Sequence, residues 1–167
     1  MTIADLEARA KLYAVQRGRA IEKLLGHGSD GAVWQTSRAT AVKVCEDAKR
    51  YFTERDCYRL LLDEGITEIY GFTIPTLIDY SDSLMAIEMA IVQPPYLIDF
   101  GKAYLHISPP QFSRETMADW YAEKKELYGE HWPTILKILR RLQSLGIHHM
   151  DPKPSNILPA NWNPSLD

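Results

Sequence analysis

The sequence predicts an α+β fold in which a small antiparallel sheet with one main helix precedes a smaller helical region. Three observations lead there. Between residues 19 and 45, strand-like runs are separated by turn-forming residues, a glycine-rich segment from Gly26 to Gly31 and the turn Ser37-Arg38-Ala39-Thr40. From about Asp47 to Asp63 the apolar residues recur at helical spacing. After Pro109-Pro110, two further stretches carry apolar stripes of the same period.

Taken in order, the first element is a helix from Ile3 to about Gln16, with Leu6, Ala10 and Tyr13 on one face. Strands are expected over residues 19–25, 31–35 and 40–45. The helix that follows carries Tyr51, Tyr58, Leu61 and Leu62 as its stripe and stops near Gly65. At about 100° per residue, Glu54 falls inside that stripe. A carboxylate on a buried helix face needs a cationic partner. Arg55, at the stripe's edge, is a local alternative to a distant one. Short strands over 76–80 and 84–89 complete the sheet. A helix over 113–128 carries Met117, Trp120, Tyr121 and Leu127, with its aromatic residues expected in the core. Another follows Trp132-Pro133, with Ile135, Leu136, Leu139 and Leu142, and stops at Gly146.

Composition is that of an ordinary globular chain: 167 residues, 46% hydrophobic and 25% charged. Length predicts one domain over 1–167, with about 1–89 forming the sheet-rich lobe and about 90–167 a linking segment and helical lobe. A formal net charge of −3 provides no basic field for nucleic acid. Lys49-Arg50 and Arg140-Arg141 read as solvated helix faces. No apolar run reaches membrane-spanning length, and Asp5 and Glu7 interrupt any leader pattern. Two cysteines, Cys45 and Cys57, are too few for a disulfide framework or a zinc site and suit a reducing compartment, so a cytoplasmic location is expected.

Chemistry is concentrated in His149-Met150-Asp151-Pro152-Lys153-Pro154-Ser155-Asn156. An aspartate can orient an attacking hydroxyl and accept its proton. A lysine two residues on can neutralise charge on a moving phosphoryl group, and an asparagine five residues after the acid can ligate Mg²⁺. Upstream, Leu25-Gly26-His27-Gly28-Ser29-Asp30-Gly31-Ala32-Val33 is a G-x-G-x-x-G-x-V, whose Gly26, Gly28 and Gly31 let backbone N–H groups approach phosphates. It continues as a strand, whereas a dinucleotide-binding loop would open a helix. Ala41-Val42-Lys43-Val44 then places a lysine inside an apolar strand, where it must reach a polar partner. Glu54 is the candidate.

These four features, in this order, resemble the protein kinase-like superfamily, and the closest resemblance is to small bacterial Ser/Thr kinase-like proteins with a reduced C-terminal lobe. The resemblance covers Leu25 to Leu158. It implies a kinase-like N-lobe and reduced helical C-lobe with ATP and Mg²⁺ between them. It implies that Asp151 is the catalytic base and Lys153 its charge-neutralising partner, and that a Lys43–Glu54 pair positions the α- and β-phosphates. Gly26, Gly28, Gly31, Val33, Ala41, Glu88 and Met89 then surround the nucleotide.

The departures matter as much. Asp99-Phe100-Gly101 matches the family's metal-binding tripeptide but precedes the catalytic loop, whereas the family's metal aspartate follows it. Chain order therefore favours Asp167, eleven residues after Asn156, as second metal ligand. Asp99 is expected beside the adenine or ribose, or packing a short strand, since a metal role would require a rearranged topology. Met150 replaces the arginine that grips a phosphorylated activation loop, and no such loop is evident. His149 is expected to pack beneath the catalytic loop. Three readings follow: an ATP- and Mg²⁺-dependent Ser/Thr protein kinase-like enzyme, a nucleotide-binding pseudokinase acting through a protein partner, and a small-molecule kinase, which Lys153 disfavours.

Overall fold

Helix α1 (Ile3–Gln16) starts at a reciprocal cap, in which the Thr2 hydroxyl accepts from the Asp5 N–H and the Asp5 carboxylate accepts from the Thr2 N–H. A computed structural model, which describes residues 2–162, shows what the helix covers. Leu6, Ala10 and Tyr13 are buried against Trp34, Val42, Val44 and Ala86 on one face of a five-stranded sheet. That sheet contains β1 (Ile21–Gly28), β2 (Gly31–Thr36), β3 (Thr40–Cys45), β6 (Leu77–Ser81) and β7 (Ala86–Ala90), in the order β1-β2-β3-β7-β6 with antiparallel neighbours.

Side chains alternate across a strand, so Ala41, Lys43 and Cys45 share the opposite face of β3. Helix α2 (Ala48–Asp63) packs there, capped by Asp47, whose carboxylate accepts from the Arg50 N–H. Tyr51, Glu54, Cys57, Tyr58 and Leu61 are its buried residues. Leu62, expected in that stripe, is 44% exposed because it lies one residue beyond the seam. Gly65 closes the helix at a positive φ of 66°.

The rest of the chain is built from two-residue strands that the sequence pattern did not reveal. Strands β4 (Glu68–Ile69) and β5 (Phe72–Thr73) form a hairpin through Tyr70-Gly71, both at positive φ. Strand β8 (Tyr96–Leu97) lies parallel to β5, and β11 (Ile157–Leu158) pairs antiparallel with β8. Strand β9 (Tyr104–Leu105) pairs antiparallel with β10 (Ile147–His148). Two loops thus run side by side from one ribbon to the other. Residues 98–103 join β8 to β9, and residues 149–156 join β10 to β11. The Ile98 N–H donates to the Asn156 carbonyl at 2.7 Å, tying the two loops where they leave the β8·β11 ribbon. Reading the motifs in linear order does not bring these two loops together. Antiparallel pairing fixes where each loop begins and ends, whichever comes first in the chain.

Helix α3 (Arg114–Tyr128), capped by the Ser113 hydroxyl, leads through a 3-10 turn into α4 (Trp132–Ser144). Of α3, only Tyr128 is fully buried, stacked on Trp132, and Trp120 packs against the core as expected of the aromatic residues; Met117 and Tyr121 are exposed, so Tyr121 departs from that expectation. In α4, Ile135, Ile138 and Leu142 face the core while Leu136 and Leu139 flank it, and Gly146 follows at a positive φ of 83°.

Candidate active site

The glycine-rich segment is the β1–β2 hairpin, with Gly28 opposite Gly31 and Ser29-Asp30 at its tip. Its glycines serve two purposes. Gly31 has a φ of 144°, and a Cβ there would sit 2.1 Å from the Val44 carbonyl oxygen, so the fold itself requires glycine. Around Gly26 and Gly28 nothing stands within 4 Å of an added Cβ. Their bare backbone overhangs a cavity of about 590 Å³. Gly26, Gly28, Gly31, Val33, Ala41 and Lys43 all line it, together with Glu54, Asp99, Lys153 and Asn156.

At the cavity floor Lys43 Nζ lies 2.6 Å from Glu54 Oε2 and 3.1 Å from Asp99 Oδ1. Arg55 turns instead to Asp56 and Asp82, so Glu54 takes the distant partner. Burial alone would lower the Lys43 pKa, but Glu54 and then Asp99 outweigh it and hold the ammonium well above its usual value. One cation shared by two carboxylates satisfies them unequally. Burial pushes the Glu54 carboxyl up to about 7 despite Lys43. Burial also acts on Asp99, but there Lys43 and the Gly101 N–H prevail and keep the carboxyl below its ordinary value.

Asp99 adopts a positive φ of 64°, a conformation few residues other than glycine adopt without cost. The Gly101 N–H donates to its carboxylate at 3.3 Å, and its own N–H donates to the Tyr58 hydroxyl at 3.4 Å. Phe100 is buried edge-on to Tyr58 and to His149. His149 therefore packs beneath the loops, as expected, and burial lowers its imidazole pKa.

On the neighbouring loop, Asn156 Nδ2 donates to the Asp151 carbonyl at 2.9 Å, which leaves its side-chain oxygen with only a long contact from the Ser155 hydroxyl. Asp151 is not among the residues lining the cavity. Its carboxylate lies 3.1 Å from Lys153 and 3.4 Å from Lys102. Burial raises its pKa, but Lys153 and Lys102 outweigh this and lower it overall.

Two expected nucleotide contacts are corrected. Glu88 is fully buried on the α1 side of the sheet, where Arg19, the Tyr13 hydroxyl at 3.1 Å and the Thr40 hydroxyl at 2.5 Å surround its carboxylate. Strand alternation, with Ala86 and Glu88 on one face, turns it away from the cavity. Met89 packs in the core opposite Leu77, and the cavity wall is made instead by the next three residues, Ala90, Ile91 and Val92. Asp167 lies outside the described residues. Asp99 stands at the lysine and not merely along a short strand. Asp30 and Lys102 went unnoticed in the sequence, and Arg50 was assigned to solvent. In the fold Asp30 is bound by Arg50 at 2.5 Å and by Lys102 at 3.3 Å. A charged residue inside the glycine segment and another directly after Asp99-Phe100-Gly101 were the available signals.

No protein-family model and no curated protein matches the chain. Among solved structures it is similar to APH(2″)-IIa in a ternary complex with streptomycin and ATP, at 17% identity over 89% of this chain and 41% of that one, with a TM-score of 0.39. It is also similar to APH(2″)-IIa in complex with gentamicin, at 19% identity over 81% of this chain and 37% of that one, with a TM-score of 0.35. The chain thus spans less than half the length of these structures.

Proposed function

We propose that this chain is an ATP-dependent, kinase-like phosphotransferase acting on a hydroxyl acceptor. The observation that carries the reading is the convergence on one cavity of the glycine hairpin, the Lys43–Glu54 pair, Asp99 and Asn156. In this reading the triphosphate lies under Gly26 and Gly28, where Cβ atoms would otherwise intrude. Lys43, fixed by Glu54, holds the α- and β-phosphates. Asp151, kept ionised by Lys153 and Lys102, orients the acceptor hydroxyl and takes its proton, and Lys153 neutralises charge on the phosphoryl group.

The donor set also fits Mg²⁺, which prefers one or two carboxylates with neutral oxygens, phosphates and water. Asp99 supplies the carboxylate, and Asn156 Oδ1 supplies the neutral oxygen. Asp99 thereby takes the role that chain order had given to Asp167. When bound, the ion would screen the phosphates' charge as the bond to the leaving oxygen lengthens.

Mg²⁺-ATP at about 100 times its dissociation constant should stabilise the fold by ~2.7 kcal/mol, a melting shift of about 5–11 °C for a chain of this size. Transfer from γ-labelled ATP is then tested on the chain itself, on Ser/Thr proteins and on small polyhydroxylated compounds. Asp151→Asn should reduce transfer by about 10²–10⁴-fold while ATP still binds. A folded protein with no melting shift at millimolar ATP refutes the reading. Tight ATP binding with no transfer to any acceptor replaces it with the pseudokinase.

A further inference from the structure

Beside the cavity runs a chain of charges that nucleotide positioning by Lys43 does not use: Arg50–Asp30–Lys102–Asp151–Lys153. Asp30 is unusual within it. The hairpin around it is exposed from Glu22 to Ser29, yet Asp30 itself is only 8% exposed and lines the cavity. An acid at the tip of a loop suited to phosphate is thus drawn inward by cations. Lys102 is the cation that can leave at least cost. Each carboxylate it touches has a closer partner, Arg50 at 2.5 Å for Asp30 and Lys153 at 3.1 Å for Asp151, against 3.3 and 3.4 Å for Lys102. Its departure strands neither acid. Its flexible stem and exposed ammonium can follow a new anion over several ångströms.

We propose that the Asp30 carboxylate occupies the place of a nucleotide's terminal phosphate, and that Asp30 and that phosphate compete for Lys102. Lys102 is then a second phosphate-binding cation, reserved for the end of the triphosphate, while Lys43 serves its middle. Charge balance points the same way. Lys43, Arg50, Lys102 and Lys153 are met by Asp30, Asp47, Glu54, Asp99 and Asp151, one acid more than the cations. Such a site carries no surplus positive charge to receive an anion until one of its own acids withdraws. Asp30, on a hairpin tip, is the acid free to move with its loop. The inference rests on reading the cavity as a nucleotide site.

The test is calorimetric binding of Mg²⁺-ATP and of adenosine to the full chain and to Asp30→Asn, Asp30→Ser, Lys102→Met and the Asp30→Asn/Lys102→Met double variant. Removing the competitor should tighten ATP several-fold in both Asp30 variants and leave adenosine unchanged. Losing one charge-assisted contact in Lys102→Met should weaken ATP about tenfold, again without effect on adenosine. In the double variant the gain from Asp30→Asn should vanish. Weaker or unchanged ATP binding in both Asp30 variants overturns the proposal, as does a gain that survives in the double variant. Lys43→Met separates the two levels of the argument. If the wild type binds ATP in a Lys43-dependent way and the Asp30 variants bind no tighter, the competition falls and the nucleotide reading stands. If the wild type does not bind ATP at all, both fall.

Discussion

Replacing Glu54 with glutamine should remove a loss of stability that the wild type suffers as pH rises, although it also removes one partner of a buried ion pair. The carboxyl is fully buried and shifts from an ordinary 4.5 to about 7. Folding therefore binds a proton that the unfolded chain has lost at intermediate pH. Stability from this group is complete below about pH 4 and declines as pH rises through 7. At about 1.4 kcal/mol per pH unit, the decline between pH 5 and pH 8 amounts to about 2–3 kcal/mol. No discount for solvent screening applies at a position with 1% exposure. Glutamine keeps an oxygen for Lys43 and cannot titrate. In the wild type Glu54 and then Asp99 outweigh burial and keep the Lys43 ammonium charged throughout the window, and in the variant Asp99 remains beside it at 3.1 Å. Denaturant unfolding of both proteins at pH 5 and pH 8 measures the effect as a difference, in which the other titrating groups largely cancel. Relative to wild type, Glu54→Gln should gain about 2–3 kcal/mol between the two pH values. A difference that is flat, or that falls with pH, would show that Lys43 rather than burial governs the pair.

Four further outcomes are expected. Gly31→Ala should destabilise the fold by at least about 2 kcal/mol in chemical denaturation, since its Cβ meets the Val44 carbonyl at 2.1 Å and its φ is positive. Gly28→Ala, with open space around it, should leave that midpoint within about 0.5 kcal/mol of wild type and weaken ATP instead. Lys43→Met should erase most of the ATP-induced melting shift, read by differential scanning fluorimetry. Asp99→Asn should abolish the Mg²⁺ dependence of ATP binding in a metal titration while affinity for metal-free adenosine is retained; an undiminished Mg²⁺ response would return the metal to other ligands.

Long elements could be read in the sequence because they are long enough to display a period. Helix α1, strand β3 and helix α2 fall where their patterns and caps put them, and the Lys43–Glu54 contact follows from one strand and one helix whose faces could be assigned. Strands of two residues, such as β8 and β11, have no period to display. Their pairing is a long-range event, and with it goes the position of Asp99. Glu88 shows a different limit. A strand has two faces, and hydrophobicity does not say which face of β7 meets α1 when both are buried. The Asp30–Lys102 contact joins a hairpin tip to a distant loop, and neither residue carries a local signal for the other.

The order of the two loops bears on how the chain acquires its site during synthesis. Once residue 99 has left the ribosome, Lys43, Glu54 and Asp99 are all available, so the cluster of charges at the cavity floor can meet early. The strand that holds Asp99's own loop in register does not exist yet: Leu97 pairs with Ile157, near the far end of the described chain. Until that last strand docks, β8 has only its parallel neighbour β5 on one side. Closing the longer separation is the slow, non-local part of such a topology. The nascent chain would therefore pass through a stage with its glycine hairpin and lysine formed but the loop of Asp99 untethered, until residues 157–158 have been made.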